Sequence, residues 1–366
     1  MKRLTSKEIE ELVPYPPGKP IEELERELGI TGSIKLASNE NPLGPSPLAV
    51  QAILDNAQKI NRYPDGSGYY LKKKLSDIFG FPPDNIIIGN GSNEIIELVI
   101  RTFLSIGEEV IQAFPTFLVY QKIVTAAGGT SISIRLKNLR IELEDIVRAI
   151  TEKTKIIFIN NPNNPTGAAL SKGEVSDFLK IVPRDIIVVL DEAYIEFATD
   201  RDVANGTCLL QDFPRLIVLR TFSKLYGLAG LRIGYGFASE DIIDYMNRVR
   251  QPFNSNSLAQ AAALAALDDT EFVSASLKLV REGLDFLFRQ LENLGMEYCT
   301  TQANFFLIKV PFGARKTYEL MLREGVIVRS MESYGLDDYI RINVGLPEEN
   351  ERFITTLKKV LNLGNR

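Results

Sequence analysis

The residues of this chain best suited to chemistry stand where apolar runs end. Asp191 closes the run DIIVVLD, and Lys224 follows LIVLR, between the hydroxyls of Thr221 and Ser223 and a glycine-rich stretch. A carboxylate that ends a buried strand is costly unless its charge has a use, although a helix cap or an arginine partner explains many single aspartates. A lysine in a loop is usually a solvated surface charge, but the neighbours here are mostly uncharged. The two positions therefore indicate a site.

Two turns add polar groups at the ends of other apolar runs. The segment NPNNPTG, 161–167, follows KIIFIN, and the segment 90–94 follows IIIG and precedes a helical pattern. A glycine-containing turn at a helix N-terminus presents backbone N–H groups to an anion. The second turn fails as a dinucleotide fingerprint because Glu94 stands where GxGxxG requires glycine. Taken alone, each segment is explained by ordinary turn chemistry.

In combination, these groups are the parts of a pyridoxal phosphate site. A lysine can form a Schiff base with the cofactor aldehyde, and an aspartate at the pyridine nitrogen keeps that nitrogen protonated, so that the ring accepts electrons. Hydroxyls, backbone N–H groups and a guanidinium such as that of Arg232 bind phosphate. The sequence therefore predicts pyridoxal 5'-phosphate as the cofactor and no metal.

The composition excludes several other kinds of site. The 366 residues include no histidine and no tryptophan, which excludes a Ser-His-Asp or Cys-His site, a histidine-ligated zinc and an imidazole proton shuttle. Lys+Arg 42 against Asp+Glu 47 leaves a net charge of −5, which argues against nucleic-acid and polybasic membrane-surface partners.

The cysteines and the apolar runs indicate the compartment. Cys208 and Cys299 lack metal-ligand spacing, and we expect two buried thiols, with one disulfide as the alternative. No signal peptide is recognisable at the N-terminus, and no apolar run has the length of a membrane span. The sequence therefore predicts a cytoplasmic protein with no membrane partner.

The elements that must position the polar residues alternate regularly from about residue 84. Short apolar runs separated by helix-length segments predict a mostly parallel sheet covered by helices on both faces, and these runs lie at 86–89, 108–112, 131–136, 155–160, 185–191 and 216–220. Two helices are expected over 256–293, followed by a smaller α+β unit. In open α/β sheets, ligands bind beyond the carboxyl ends of the strands, which is where the polar segments lie.

Proline marks a distinct N-terminal segment. Seven of the 18 prolines lie within the first 47 residues, around one helical pattern, IEELERELG. Such a segment is typical of an extended arm that lies on the rest of the molecule. We expect residues 1–45 to form an arm that packs on the small domain and covers the active site, 46–275 a large cofactor-binding domain and 276–366 a small C-terminal domain.

Three motifs carry a family resemblance. NNPNNPTG, DEAYIEF and TFSKLYGLAGLRIGYG, in this order, resemble those of the fold-type I pyridoxal-phosphate aminotransferases. The flanking segments PYPPGKPIEELERELG, LASNENPLGPSP, RYPDGSGYYLKKKLS, PFNSNSLAQ and YIRINVGLPEENERFI are similar to those of histidinol-phosphate aminotransferases almost end to end. The resemblance implies an α/β fold with a mostly parallel seven-stranded sheet sandwiched by helices, and a smaller α+β C-terminal domain.

Carried over position by position, the resemblance implies roles for the residues around the cofactor ring. Lys224 would hold the cofactor and act as base and acid in the proton shift, and Asp191 would pair with the pyridine nitrogen. Tyr194 and Asn164 would hydrogen-bond the ring oxygen O3′. Phe117 would stack on the ring, a position that is often tryptophan or tyrosine in related enzymes.

The resemblance also implies a phosphate site and a second subunit. The cofactor phosphate would be bound by the residues of two turns and one arginine: Gly91, Ser92, Asn93, Thr221, Ser223 and Arg232. Tyr63 would reach the cofactor phosphate of the neighbouring subunit, so a complete site requires a homodimer.

Substrate recognition would involve two arginines and the arm. Arg341 resembles the family's arginine for the amino-acid carboxylate, and Arg329 resembles a second anion-binding arginine. Tyr15 and Asn39 lie on the arm that folds over the substrate. Because a guanidinium suits a carboxylate or a phosphate equally, one pocket could take glutamate and histidinol phosphate in turn, and the division of work between the arginines stays open.

The implied activity is a ping-pong transamination between L-glutamate/2-oxoglutarate and imidazole-acetol phosphate/L-histidinol phosphate, in histidine biosynthesis. Two alternatives share the cofactor motifs: an aromatic amino-acid aminotransferase of the same subgroup, and a lyase resembling threonine-phosphate decarboxylases. A non-catalytic alternative, the cofactor-binding regulatory domain of some transcription factors, would need an added DNA-binding segment, whereas the arm here is expected to begin almost at Met1.

Overall fold

The structure is a computed structural model that describes residues 4–14 and 18–364. Its helices, numbered along the chain, are α1 Lys7–Glu10, α2 Ile21–Leu28, α3 Pro47–Asn56, α4 Tyr69–Phe79, α5 Ser92–Phe103, α6 Val119–Ala126, α7 Leu143–Arg148, α8 Lys172–Ile181, α9 Glu240–Val249, α10 Ser257–Ala266, α11 Thr270–Asn293, α12 Ala314–Arg323 and α13 Pro347–Gly364. Its strands are β1 Ile34–Lys35, β2 Ile86–Gly89, β3 Glu109–Phe114, β4 Thr130–Arg135, β5 Thr154–Asn160, β6 Ile187–Asp191, β7 Leu216–Thr221, β8 Gly234–Phe237, β9 Phe305–Lys309, β10 Val326–Ile327, β11 Arg329–Ser330 and β12 Tyr339–Asn343.

A seven-stranded sheet forms the centre of the molecule, in the order β2-β8-β7-β6-β5-β3-β4. Its strands pair in parallel except for β8, which runs antiparallel to both β2 and β7. Successive side chains of β5 enter different core clusters: Ile157 and Ile159 belong to one, Ile156 and Phe158 to the other. Both faces are therefore covered, as a strand that is apolar at every position requires. The predicted fold class is confirmed.

Strand β8 is the one strand of this sheet that the apolar runs did not reveal. Its sequence, GYGF, lies in the glycine-rich stretch after Lys224. The glycines have a packing reason, because a Cβ on Gly234 would lie 2.4 Å from the backbone nitrogen of Ser92. A strand that has glycine where two backbones approach closely lacks the apolar pattern by which strands are predicted from sequence. The close approach brings β8 against the turn that precedes α5.

A second sheet, β11-β12-β9, is antiparallel and carries its own core with α11, α12 and α13. Strand β1, from the proline-rich segment, pairs in parallel with β10 next to this sheet. The predicted border between 275 and 276 falls inside α11. The division into an arm, a large domain and a small domain stays a prediction.

The cysteines differ from expectation. Both are free thiols, but Cys208 is exposed and Cys299 is half-buried, so the prediction that both are buried is wrong. Cys208 lies in a short 3₁₀ turn, Gly206–Cys208, of which only Gly206 is buried. Within the described part of the chain, no helix has both the length and the apolar character that crossing a membrane requires.

Candidate active site

Lys224 lies in a loop just beyond the carboxyl end of β7. Its Nζ donates a hydrogen bond to the carbonyl oxygen of Ser38, at 3.2 Å, and lies 5.7 Å from the centre of the Tyr194 ring. Burial and the positive charge of Arg341 lower the pKa of Lys224 to about 8. At pH 7, about a tenth of this side chain is therefore the neutral amine, the nucleophilic form, which is far more than for a lysine of ordinary pKa.

Asp191 ends β6 and is buried. Burial raises its pKa to about 6, against the effect of a hydrogen bond from Tyr120, whose Oη donates to Asp191 Oδ2 at 2.5 Å. Asn160, on the neighbouring strand, donates from Nδ2 to the backbone carbonyl of Asp191 at 3.0 Å. The other carboxylate oxygen of Asp191, Oδ1, accepts the backbone N–H of Ala193 at 3.2 Å. The carboxylate is thus held in one orientation.

A positively charged recess forms where α5 begins. Gly91 precedes this helix with φ +76°, and a Cβ there would come within 2.6 Å of Arg232 Nη2. Arg232, itself at φ +55°, donates to the Ala229 carbonyl at 3.0 Å and lies 3.5 Å from Ser223 Oγ. The unpaired N–H groups of the helix N-terminus and the guanidinium favour an anion here.

Glu94 explains why this turn departs from the dinucleotide fingerprint. Its Oε2 accepts the backbone N–H of Asn90 and the Asn254 side-chain amide, each at 2.6 Å. The carboxylate therefore closes the turn, and Asn254 ties it to β2 by donating to the carbonyl of Ile88 at 3.0 Å. A glycine at this position would remove both bonds.

One cavity of about 380 Å³, here called the Lys224 cavity, joins these groups. It brings together most of the predicted cofactor residues, namely Ser92, Asn93, Phe117, Asn164, Asp191, Tyr194, Thr221, Ser223, Lys224 and Arg232. Gly91 lies behind it, against Arg232. These residues come from the ends of β5, β6 and β7 and from the start of α5, so the cavity lies at the carboxyl edge of the sheet.

A hydrogen-bonded group links the cavity to the N-terminal segment and the small sheet. Asn39 Nδ2 donates to Tyr194 Oη at 3.0 Å, and its backbone N–H donates to Asn343 Oδ1 at 3.0 Å. Arg341 donates from Nη1 to Asn164 Oδ1 and from Nη2 to the Ala37 carbonyl at 2.8 Å. Burial raises the pKa of Tyr194 to about 12, opposed by Arg341 and Asn39, so its hydroxyl stays protonated.

Arg329 and Arg341 occupy directly opposite positions of the β11–β12 pair. Residues opposite each other in an antiparallel pair project to the same face of the sheet, and two like charges placed in this way repel. The Nε of Arg341 is buried without a hydrogen-bond partner. The Nε of Arg341 is thus a donor that an anion on this face could use.

One predicted cofactor residue lies apart from the others. Tyr63 is outside the Lys224 cavity, stacked on Phe253 with 4.8 Å between ring centres, and is 83% exposed. Tyr15 lies outside the described residues. Sequence reasoning missed Tyr120 and Asn160. Tyr120 is on the buried face of α6, three positions after Phe117, and nothing in its surroundings in the sequence distinguishes it from a core aromatic.

The residues present fit pyridoxal phosphate. The Lys224 cavity holds an amine of lowered pKa, a buried carboxylate and an aromatic face, and the recess at α5 suits a phosphate. The recess has no room for a Cβ at Gly91 or Gly234, since it would lie 2.6 Å from Arg232 Nη2 or 2.4 Å from the Ser92 backbone nitrogen. Among the described residues, no group of three or more Cys, Asp or Glu side chains could hold a metal ion.

Comparison with known proteins agrees with this geometry. Residues 31–357 match the family described as aminotransferase class I and II. The chain belongs to this family. It is 46% identical to the histidinol-phosphate aminotransferase 2 of Carboxydothermus hydrogenoformans, over 98% of this chain and 100% of that one, and 48% identical to the histidinol-phosphate aminotransferase of Desulfotalea psychrophila, over 96% and 94%.

A solved structure is similar over almost the whole length of this aminotransferase. The histidinol-phosphate aminotransferase from Sinorhizobium meliloti, in complex with pyridoxal-5'-phosphate, superposes with a TM-score of 0.90, at 27% identity, over 99% of this chain and 98% of that one. The predicted membership of an aminotransferase family is thus confirmed.

Proposed function

We propose that this aminotransferase uses pyridoxal 5'-phosphate to transfer the amino group of L-glutamate to imidazole-acetol phosphate, giving L-histidinol phosphate and 2-oxoglutarate. The observation that carries the proposal is the buried Arg341, which donates from Nη1 to Asn164 of the Lys224 cavity and lies opposite Arg329 on the β11–β12 pair. Its support is the name that relatives at 46% and 48% identity share, histidinol-phosphate aminotransferase.

The chemistry follows from the groups around the Lys224 cavity. When bound, pyridoxal phosphate supplies an electron sink for the substrate carbon that loses its proton. Lys224 would hold the cofactor through Nζ and afterwards move the proton, since its pKa of about 8 allows the amine to accept and return a proton near neutrality. Asp191, buried and oriented by Tyr120, would hold a proton on the pyridine nitrogen.

Other residues would orient and anchor the cofactor. Tyr194 Oη, kept protonated by burial, would donate a hydrogen bond to the ring oxygen, together with the Asn164 amide. Phe117 would cover one face of the ring. The phosphate would lie in the recess at α5, bound by the turn 91–93, the hydroxyls of Thr221 and Ser223, and Arg232.

The two arginines would receive the anionic groups of both substrates. Glutamate carries two carboxylates, whereas histidinol phosphate carries a phosphate and no carboxylate. A guanidinium makes paired hydrogen bonds to either group, and an anion between two arginines relieves their repulsion. Asn39 would lie close to the substrate, because its Nδ2 donates to the Oη of Tyr194, which lines the Lys224 cavity.

The deciding experiment compares kcat/KM for histidinol phosphate, phenylalanine and threonine phosphate, with 2-oxoglutarate as the amino acceptor. We expect histidinol phosphate to give the highest kcat/KM and to exceed phenylalanine by a factor of about a hundred or more, because phenylalanine has no phosphate to pair with a guanidinium. A preference for phenylalanine would establish the aromatic aminotransferase instead. Release of carbon dioxide from threonine phosphate would establish the lyase.

We also propose that the active form is a homodimer in which Tyr63 reaches the partner's cofactor phosphate. The support is a set of large apolar side chains exposed around the same segment: Leu48, Leu54, Ile60, Tyr63, Tyr69, Tyr70 and Phe253. Exposed apolar surface of this extent commonly marks a protein interface. A cytoplasmic location stays a prediction.

A further inference from the structure

A buried ion pair lies directly behind the Lys224 cavity. Arg220 Nε donates to Glu192 Oε2 at 3.0 Å, and the two side chains are 7% and 0% exposed. Neither side chain lines the cavity. Each is nevertheless adjacent in sequence to a residue that lines the cavity, because Glu192 follows Asp191 and Arg220 precedes Thr221.

The remaining polar atoms of the pair are also engaged. Glu192 Oε1 accepts the backbone N–H of Gly206 at 2.5 Å, and Arg220 Nη2 donates to Asn205 Oδ1 at 2.8 Å. The guanidinium carbon lies 5.1 Å from the centre of the Phe79 ring. The loop at 205–206 packs closely against the two strands, because a Cβ on Gly206 would lie between 2.6 and 2.7 Å from side-chain carbons of Val218 and Leu190.

This arrangement joins the ends of two adjacent strands. Successive side chains along a strand point to opposite faces, so Asp191 and Thr221 face the cavity while Glu192 and Arg220 face away from it. The backbone N–H of Glu192 donates to the Leu219 carbonyl at 2.9 Å, alongside the side-chain contact. The contact between Glu192 and Arg220 therefore fixes the distance between the Asp191 carboxylate and the Thr221 hydroxyl on the opposite face of the sheet.

Stability alone is a weak reason for such a pair. An apolar pair of similar volume is often as stable as a buried ion pair or more so, whereas the ion pair restricts the geometry of the groups that bear it. Arg220 also has an electrostatic effect. Burial and the negative charge of Asp191 raise the pKa of Glu192, and Arg220 opposes that rise. The guanidinium therefore favours the ionised form of Glu192 next to Asp191.

We propose that Glu192 and Arg220 are positioning residues for the cofactor, which hold Asp191 and the segment from Thr221 to Lys224 at the separation that pyridoxal phosphate requires. This inference rests on the proposed function, since it presumes that the Lys224 cavity binds that cofactor. Neither residue touches the cofactor or the substrate; both act through the strand ends.

The test uses Glu192→Gln and Arg220→Lys in the full chain. The matched controls are Glu174→Gln and Arg140→Lys, which alter another Arg–Glu pair, 2.7 Å apart and outside the cavity. Three quantities are measured: the thermal midpoint of the apoprotein, the dissociation constant of pyridoxal phosphate, and the pH at which the visible absorption of the bound cofactor changes. We expect cofactor binding to weaken about tenfold or more in the first two variants, the order that loss of one charged hydrogen bond gives, and the absorption change to move in pH. The controls should leave both at the wild-type values.

The alternative is that the pair serves folding only. In that case Glu192→Gln and Arg220→Lys would lower the thermal midpoint while the dissociation constant and the pH of the absorption change stay within twofold of wild type, and the proposal would be overturned. Failure of both variants to give folded apoprotein would also count against it. Absence of cofactor binding by the wild-type protein would instead contradict the proposed function, so the two failures are distinguishable.

Discussion

At the scale of single residues, burial moves the pKa values of a base, Lys224, and an acid, Asp191, toward neutrality. Desolvation disfavours whichever form is charged, so it lowers the pKa of Lys224 to about 8 and raises that of Asp191 to about 6. After burial, the largest effect on the pKa comes from Arg341 for the lysine and from Tyr120 for the aspartate. The pH dependence of this protein should therefore change in a predictable direction when a neighbour is replaced.

For Lys224, the rate at which pyridoxal phosphate becomes covalently attached to the apoprotein should rise with pH and have its midpoint near 8, not 10.5. The reason is that the reactive neutral amine forms only above its pKa. Arg341→Met removes a cation that lowers this pKa and should move the midpoint to higher pH, while Arg341→Lys keeps the charge and serves as the control. The adduct is measured after borohydride reduction and must disappear in Lys224→Ala; an adduct on another lysine would contradict the assignment.

For Asp191, Tyr120→Phe should raise the pKa of the carboxyl above about 6, because the hydrogen bond that favours the ionised form is lost. The carboxyl then becomes protonated at higher pH, so the acid limb of the kcat/KM profile should move upward by roughly one unit, the equivalent of one charged hydrogen bond. Phenylalanine keeps the ring stacked on Phe158, 4.5 Å between centres. Tyr245→Phe, on an exposed tyrosine, is the control. An unchanged acid limb would show that Tyr120 does not tune Asp191.

At the scale of elements, the strand ends and the start of α5 determine where the polar groups meet. β5, β6 and β7 each end in a residue of the site, and β8 brings its glycine against the turn that opens α5. The recess for an anion thus depends on backbone that passes close to other backbone. Such a recess is sensitive to a single added methyl group.

Gly91→Ala should weaken cofactor binding at least tenfold, because the new Cβ, 2.6 Å from Nη2, forces the Arg232 guanidinium out of its position and costs a charged hydrogen bond. The control is Gly107→Ala. Gly107 has φ +85° and no atom within 4 Å of a Cβ, so it reproduces the backbone strain without the clash. Titration of apoprotein with pyridoxal phosphate measures the effect. Equal weakening in the two variants would mean that strain, and not the displaced arginine, is responsible, and a wild-type dissociation constant in Gly91→Ala would contradict the prediction.

At the scale of the whole molecule, the Lys224 cavity is assembled from parts that are distant in the chain. The N-terminal segment supplies Ser38 and Asn39, the seven-stranded sheet supplies the strand ends, and the small sheet supplies Arg341. Tyr63 alone among the described cofactor candidates points elsewhere, at 83% exposure. That exception is what a site shared between subunits predicts.

Mixing Tyr63→Phe with Lys224→Ala subunits tests this sharing. In a mixed dimer, the subunit that retains Lys224 receives an intact Tyr63 from its partner, so activity should rise above that of either parent after subunit exchange. The control is each parent exchanged with itself. Activity that remains the weighted mean of the parents would show that the subunits work independently.

Much of the fold could be predicted from the sequence because buried parallel strands are apolar at every position and end in turns. β2, β5 and β7 therefore lie within a residue or two of their apolar runs. β8 could not be predicted in this way, because two of its four residues are glycines and it therefore lacks a continuous apolar run. The exposure of the two thiols could not be predicted, because the burial of a short side chain in a loop depends on what packs over it. Local sequence patterns do not record such packing.

The sequence by itself determined which residue types stand at the strand ends. Through the absence of histidine, it also determined that proton transfer must fall to lysine, tyrosine, cysteine, a carboxylate or a cofactor. Only the tertiary structure decided which residues touch them. Tyr120 and Asp191 are 71 positions apart, and Asn39 and Asn343 are 304 apart. The physical reason is that motifs reflect backbone neighbours, whereas hydrogen bonds and pKa values depend on distance and burial in space, to which residues from every part of the chain contribute.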